Sequence, residues 1–229
     1  MKIVLMSMEE NIFFREILKN LLDRGHALEA VILEKGTPRS AVMVDYLKND
    51  FYNPPTLNQI ILGKKIPVYE VDNLNGEKNL ELLRKLNPDL ILLGGSSRII
   101  KPEIIKTAKT GILNSHPGLL PHYRGRDIVG WAIYNNDPIG ATCHFIDEGV
   151  DMGPILMQEK VPYSVGKNLL EIRVAVMRLA AALMVKSLQG FLAGKIQAFP
   201  QIKGIGKTYG PMSKEIIEIV EDKIKLSKV

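Results

Sequence analysis

Short apolar runs alternating with amphipathic stretches of helical period constrain this chain more than any other feature of its sequence. Met1 to Ser7 is a brief apolar run ending in a polar turn, and Asn11 to Arg24 follows with apolar residues at 13, 14, 17, 18, 21 and 22 among others, the spacing of one helix face. Gly25 offers a helix terminator, and Ala27 to Leu33 reads as the next strand. Strand, helix and strand in that order make a parallel unit, because parallel neighbours need a long crossover. The pattern continues with strands at Ile66 to Val71 and Asp89 to Leu93 around a helix at Glu77 to Leu86. A short helix at Pro102 to Ala108, a buried strand at Gly111 to Leu113 and a helix at Asp127 to Asn135 follow. Strands at Ala141 to Ile146 and Ile155 to Val161 come next, then one long apolar helix within Gly166 to Gly194. Such alternation predicts an α/β domain with a doubly wound, mostly parallel sheet. We expect that domain to span residues 1–200, with a C-terminal loop and helix appendage over 201–229. Gly204 to Gly210 reads there as a loop or short strand, and Ser213 as the cap of a helix with apolar residues at 216, 217, 219, 220 and 224.

Composition removes several classes. With 229 residues, 46% hydrophobic and 24% charged, the chain can build a real core and is neither disordered nor fibrous. Its formal net charge of +5 is spread along the sequence without a run of five like charges; it suits an anionic small substrate and calls for no nucleic acid. The single cysteine, Cys143, allows neither an intrachain disulfide nor a Cys-rich zinc site, and a reducing cytoplasm is the simplest setting. After Lys2 only four apolar residues precede Ser7, too few for a signal peptide. Glu171, Arg173, Arg178 and Lys186 break up the long helix, so no membrane span is expected. The first turn, Ser7-Met8-Glu9-Glu10-Asn11, lacks G-x-G-x-x-G and sets two acids where a pyrophosphate would lie, which argues against an NAD site. Residues 36–63 show no clear period; Tyr46, Phe51 and Tyr52 there can line an acceptor site, form a homodimer contact or pack onto the body.

Chemistry collects where strands end. In Gly111 to Gly125, GILNSHPGLLPHYRG, Asn114 and His116 are two residues apart and project to one face, with Ser115 on the other. Pro117 and Pro121 stiffen the loop, and Gly118 and Gly125 permit angles that other residues resist. Taken alone, this pair fits equally a turn-capping Asn and a surface His. A second segment, Gly140 to Pro154, GATCHFIDEGVDMGP, adds His144 and an acidic Gly-rich loop with Asp147, Glu148 and Asp151. Alternation puts Thr142 and His144 on one face and Cys143 and Phe145 on the other, so Cys143 and His144 cannot form a thiol–imidazole pair. His116, His122 and His144 lack the local spacing of a metal site, and no metal is expected. His26 reads as structural and Trp131 as core.

Together N-S-H-P-G-L-L-P, G-x-T-x-H and D-E-G-x-D-x-G-P, in this order and separation, make the chain resemble the folate-dependent formyltransferases from about Lys64 to Gln201. The resemblance implies a Rossmann-like catalytic domain that moves a formyl group from N10-formyltetrahydrofolate to a primary amine of a small acceptor. It implies Asn114 and His116 as donors to the developing oxyanion. Asp151 would orient His116, favour its charged form and take the amine's proton directly or through a water, with His144 and Thr142 in support. Ser97, Arg98, Ile99 and Ile100 would lie against the pterin, and Asp147, Glu148, Gly149 and Val150 would form the folate-binding loop. Among acceptors, the acidic first turn disfavours the phosphate of glycinamide ribonucleotide. About thirty residues after Phe199 leave little room for the tRNA domain of methionyl-tRNA formyltransferases, while Tyr123-Arg124-Gly125-Arg126 and Trp131 resemble enzymes that formylate nucleotide-linked amino sugars. A formate-releasing hydrolase and a catalytically silent folate binder are the rival readings.

Overall fold

A computed structural model describes residues 1–8, 11–35, 52–96, 98–202 and 204–226. The elements run β1 (Ile3–Met8), α1 (Ile12–Asp23), β2 (Ala30–Glu34), α2 (Leu57–Ile61), β3 (Val68–Val71), α3 (Glu77–Leu86), β4 (Leu90–Leu93) and α4 (Pro102–Ile105). They continue with β5 (Gly111–His116), β6 (Tyr123–Gly125), α5 (Ile128–Tyr134), β7 (Ile139–Phe145), β8 (Ile155–Val161), α6 (Leu169–Leu192), β9 (Lys207–Tyr209) and α7 (Lys214–Leu226). Seven strands are ordered β3-β2-β1-β4-β5-β7-β8. The pairs β1–β2, β1–β4, β2–β3 and β4–β5 are parallel, and β8 runs antiparallel to β7. This is the doubly wound, mostly parallel α/β architecture that the alternating pattern predicts, with a short C-terminal helix.

The chain divides into two compact units, Met1–Asn114 with Phe145–Glu148, and Ser115–His144 with Gly149–Val229. In the first unit, β1, β2 and β4 are buried on both faces and are apolar except for Ser7 and Glu34 near the ends of β1 and β2, as parallel strands covered by helices are. Val4, Met6, Ile32 and Ile91 from these strands pack with Leu74 and with Leu83 of α3. Helix α1 starts where Asn11 caps it, its side chain accepting from the Phe14 N–H, and buries Ile12, Phe14, Ile17, Leu18 and Leu21. Gly25, at φ +76°, turns the chain after it. Residues 36–63 were expected without a pattern, yet Leu57–Ile61 is a helical turn closed by a Thr56–Gln59 capping box. Five residues are too few to show a period, so only the cap could have signalled it. Tyr46 and Phe51 lie outside the described residues.

In the second unit, α5, α6 and α7 share a core of Ile128, Ile133, Ile172, Val176, Val220 and Ile224. Val220 and Ile224 form the buried stripe of α7, while Ile219 is 44% exposed, so its apolar face is narrower than its five apolar positions suggest. The short strands β6 and β9 pair in parallel, Tyr123 opposite Lys207 and Gly125 opposite Tyr209, with the Tyr123 and Tyr209 rings stacked. Trp131 lies partly buried against Tyr209 and donates its indole N–H to the Gly210 carbonyl. Among the described residues no helix is long and apolar enough to cross a membrane.

The turn after β1 is tied to the end of β4. Ser7 Oγ donates to the Gly94 carbonyl at 2.9 Å, and Asn11 Nδ2 reaches Gly94 O, Met8 O and Ser7 Oγ at 3.1–3.2 Å. Polar groups that would meet a pyrophosphate in a dinucleotide fold are here used internally. Glu9 and Glu10 lie outside the described residues. We predict that Asn11→Ala, which removes the cap and these ties together, lowers unfolding free energy by about 1–2 kcal/mol in urea titrations at unchanged m value. Asn11→Asp, which keeps the cap but sets a carboxylate against two carbonyls, should recover only part of the loss.

Candidate active site

Strand β5 ends in Asn114, Ser115 and His116, with Ser115 and His116 buried and Asn114 partly so. Alternation puts Asn114 and His116 on one face, as expected. The loop beyond β5, which contains a cis Leu120–Pro121 bond, is pinned by one hydroxyl. Thr142 Oγ1 donates to Gly118 O at 2.7 Å and accepts from the Leu120 N–H at 3.1 Å and from Gln158 Nε2 at 2.9 Å. A Cβ at Gly118 would come within 2.9 Å of His116 Nε2 and of Tyr123 O, so glycine there makes room for the imidazole.

His116 Nε2 sits 2.8 Å from the Tyr123 carbonyl. A carbonyl only accepts, so Nε2 carries a proton and Nδ1 is left to face Asp151, whose Oδ2 lies 3.4 Å away. The same Oδ2 accepts the Gly125 N–H at 3.0 Å, and Oδ1 lies 3.7 Å from His144 Nε2. One carboxylate thus receives a backbone donor and two buried imidazoles. His144 arrives from β7, whose register with β8 shifts between Cys143 and His144. Asp151 holds φ +53°, a conformation that costs a non-glycine residue about 1–3 kcal/mol. Gly125 has φ +94°, and a Cβ there would meet Tyr209 O at 2.3 Å.

Electrostatics separate this cluster from its neighbours. Burial pushes the Cys143 thiol up to about 12, which keeps it protonated and non-nucleophilic, in line with its expected exclusion from thiol chemistry. Burial, and then the bond to the Asp137 carboxylate, push the Tyr123 phenol well above its ordinary range. His26 is pushed down by burial and by the charge of Arg24, which fits a structural role.

The remaining residues expected to meet a folate fall in loops. Ser97 lies outside the described residues. Arg98 is bound by both Nε and Nη2 to the buried Glu34 carboxylate, which tethers it to the end of β2. Ile99 is 63% exposed and Ile100 is in the core. Asn75 clamps this stretch, donating to Ile99 O and accepting from the Lys101 N–H. In the second loop Asp147 and Gly149 are half-buried, and Glu148 and Val150 exposed. His122 is exposed, unlike His116 and His144, and among the described residues no group of three or more His, Cys, Asp and Glu side chains is placed to hold a metal ion.

A formyl transferase family model matches residues 1–188. A methionyl-tRNA formyltransferase of Pelobacter propionicus is 28% identical over 199 residues, covering 86% of this chain and 60% of its own length. The chain therefore spans about 60% of the length of the curated relative it matches. Glycinamide ribonucleotide transformylase 1 of Symbiobacterium toebii superposes with a TM-score of 0.67 at 18% identity, covering 88% of this chain and 95% of that one. An N-formyltransferase of Helicobacter canadensis, solved with folinic acid and dTDP-3-aminofucose, gives 0.65 at 20% identity, over 98% of this chain and 79% of that one. The last two likenesses show the fold; the family match is the decisive one. This chain belongs to the formyl transferase family.

Sequence reasoning passed over the Tyr123 carbonyl and the Gly125 N–H as partners of His116 and Asp151, because backbone groups leave no trace in residue type. Gln158 and Gln201 were missed for another reason, that an isolated Gln outside any motif carries no signal. For the pinned loop we predict that Thr142→Val, near-isosteric but without the hydroxyl, costs about 1–3 kcal/mol by leaving Gly118 O and Leu120 N without their partner. Thr142→Ser should restore most of that stability in the same denaturation assay.

Proposed function

We propose that this chain transfers a formyl group from N10-formyltetrahydrofolate to the primary amine of a small acceptor. The observation that carries the reading is the meeting of His116 and His144 at the Asp151 carboxylate, on a strand whose same face bears Asn114. The donor supplies an electrophilic formyl carbon; attack by the amine forms the new C–N bond and puts negative charge on the formyl oxygen, and collapse of that intermediate breaks the bond to N10, so the amine loses one proton while the departing tetrahydrofolate nitrogen gains one. The Asn114 amide is a neutral donor suited to that charge. His116, with Nε2–H committed to Tyr123 O, has only Nδ1 for proton exchange, and Nδ1 faces Asp151. Asp151 is then the proton acceptor, directly or through a water, and His144 steadies its second oxygen.

We assign the donor's pterin to Arg98, Ile99 and Ile100, to Ser97 beside them, and to the loop of Asp147, Glu148, Gly149 and Val150. The local structure fits: Ile99 offers an exposed apolar contact, and Asn75 holds the backbone around it. Because Ile100 is in the core and the Arg98 charge is met by Glu34, we expect backbone groups to read the ligand's edge. That the solved Helicobacter N-formyltransferase holds folinic acid supports a folate as the donor. For the acceptor we favour a nucleotide-linked amino sugar. The fold likeness to the enzyme crystallised with such a sugar extends over 98% of this chain, against 88% for the ribonucleotide transformylase. The cytoplasm is the setting we assign to it.

Steady-state assays of tetrahydrofolate release, with nucleotide-linked amino sugars, glycinamide ribonucleotide and methionyl-tRNA as acceptors, test the proposal. We expect turnover with the amino sugars. Turnover confined to either of the others would replace the acceptor and keep the transfer, and folate binding without turnover would favour the silent binder. Asn114→Ala should lower kcat by about 10²–10³-fold with little change in folate affinity, and Asp151→Asn should be at least as damaging. A loss below about threefold would remove the residue from the mechanism.

A further inference from the structure

Asp151 keeps an unfavourable backbone conformation, and something has to hold it there. The side chain of Gln201, beyond the 188 residues that the family model matches, donates from Nε2 to Asp151 O and to Gly153 O, each at 2.8 Å. Its Oε1 lies 3.5 Å from Arg124 Nη2. Carbonyls only accept and a guanidinium only donates, so a single orientation of the amide satisfies all three contacts. The segment carrying Gln201 is itself fastened, since Phe199 and Ile155 exchange backbone hydrogen bonds at 2.8 and 2.9 Å. Gln201 therefore bridges a fixed edge to the two carbonyls flanking the turn at Asp151.

Among the described residues Arg124 has no comparable partner elsewhere. It is 7% exposed, and among those residues its Nε has no hydrogen-bond partner and its side-chain hydrogen bond is the one to Gln201. A guanidinium kept from water without a carboxylate is costly, and what it does in this position is fix the polarity of the Gln201 amide.

We propose that Gln201, oriented by Arg124, is a positioning residue that holds the Asp151 loop in its working conformation and acts on formyl transfer only through Asp151. This rests on the reading of Asp151 as proton acceptor. A carboxylate held about an ångström off its place costs on the order of a hundredfold in rate. Gln201→Leu removes both donors at similar size. Gln201→Glu keeps a partner for Arg124 but turns an acceptor toward two carbonyls.

The test combines amide hydrogen exchange with steady-state kinetics on the full chain. Both variants should speed exchange of the amides in 149–153 while leaving those of β5 as in wild type. Both should lower kcat by about a hundredfold with KM for the folate donor little changed. In the Asp151→Asn background Gln201→Leu should add no further loss. Wild-type exchange in 149–153, or a Gln201→Leu loss undiminished in that background, would overturn the proposal. If the wild-type protein transfers no formyl group to any acceptor, the functional reading fails; unchanged exchange then still refutes the hold on the loop, and faster exchange supports it.

Discussion

The chemistry of the second unit closes on one carboxylate in an unfavourable backbone conformation. Asp151 must meet His116 from β5, the Gly125 N–H from β6 and His144 from β7, and three elements ending at one place require each approach to be unobstructed. That requirement explains residues that look unremarkable in isolation. Gly118 lies where a methyl would strike the His116 ring, and Gly125 where one would strike Tyr209 O. The loop between β5 and β6 carries Gly118 and leads into Tyr123, the first residue of β6, whose carbonyl accepts from His116, and Thr142 keeps that loop in register. The carboxylate gives His116 Nδ1 and His144 Nε2 one common neighbour.

The fold was legible because its signals are local and repeated. Apolar runs at Met1 to Ser7 and Asp89 to Leu93 are strands whichever neighbour they pair with, and the Glu77 to Leu86 period gives a helix with those bounds. What escaped was short or non-periodic: the turn Leu57–Ile61, defined by its cap, and β6, three residues that form a strand only because β9 returns from more than eighty residues away. The carboxylate cluster was legible in part. Asn114 and His116 share a face by strand alternation, but their relation to Asp151 entered through a family resemblance, since no spacing rule spans thirty-five residues of intervening chain. The contacts that hold the cluster are backbone groups and lone amides, which sequence type cannot display.

The cluster around Asp151 is the arrangement we assign to the formyl transfer proposed for this member of the formyl transferase family. The fold is shared with a glycinamide ribonucleotide transformylase and with an N-formyltransferase solved with a nucleotide-linked amino sugar, so the fold by itself does not name an acceptor. In this chain Tyr123 stacks on Tyr209 and Trp131 donates to the Gly210 carbonyl, contacts that seat β9.

The central claim is that His116 is held with its proton on Nε2 and its Nδ1 turned to Asp151. Nitrogen-15 NMR of the imidazole nitrogens, in the wild-type protein and in Asp151→Asn, measures this directly. We expect a proton on His116 Nε2 wherever the protein is folded, and an Nδ1 resonance that moves when Asp151 is replaced. A neutral ring protonated on Nδ1 with Nε2 bare, or an Nδ1 resonance indifferent to Asp151, would contradict it.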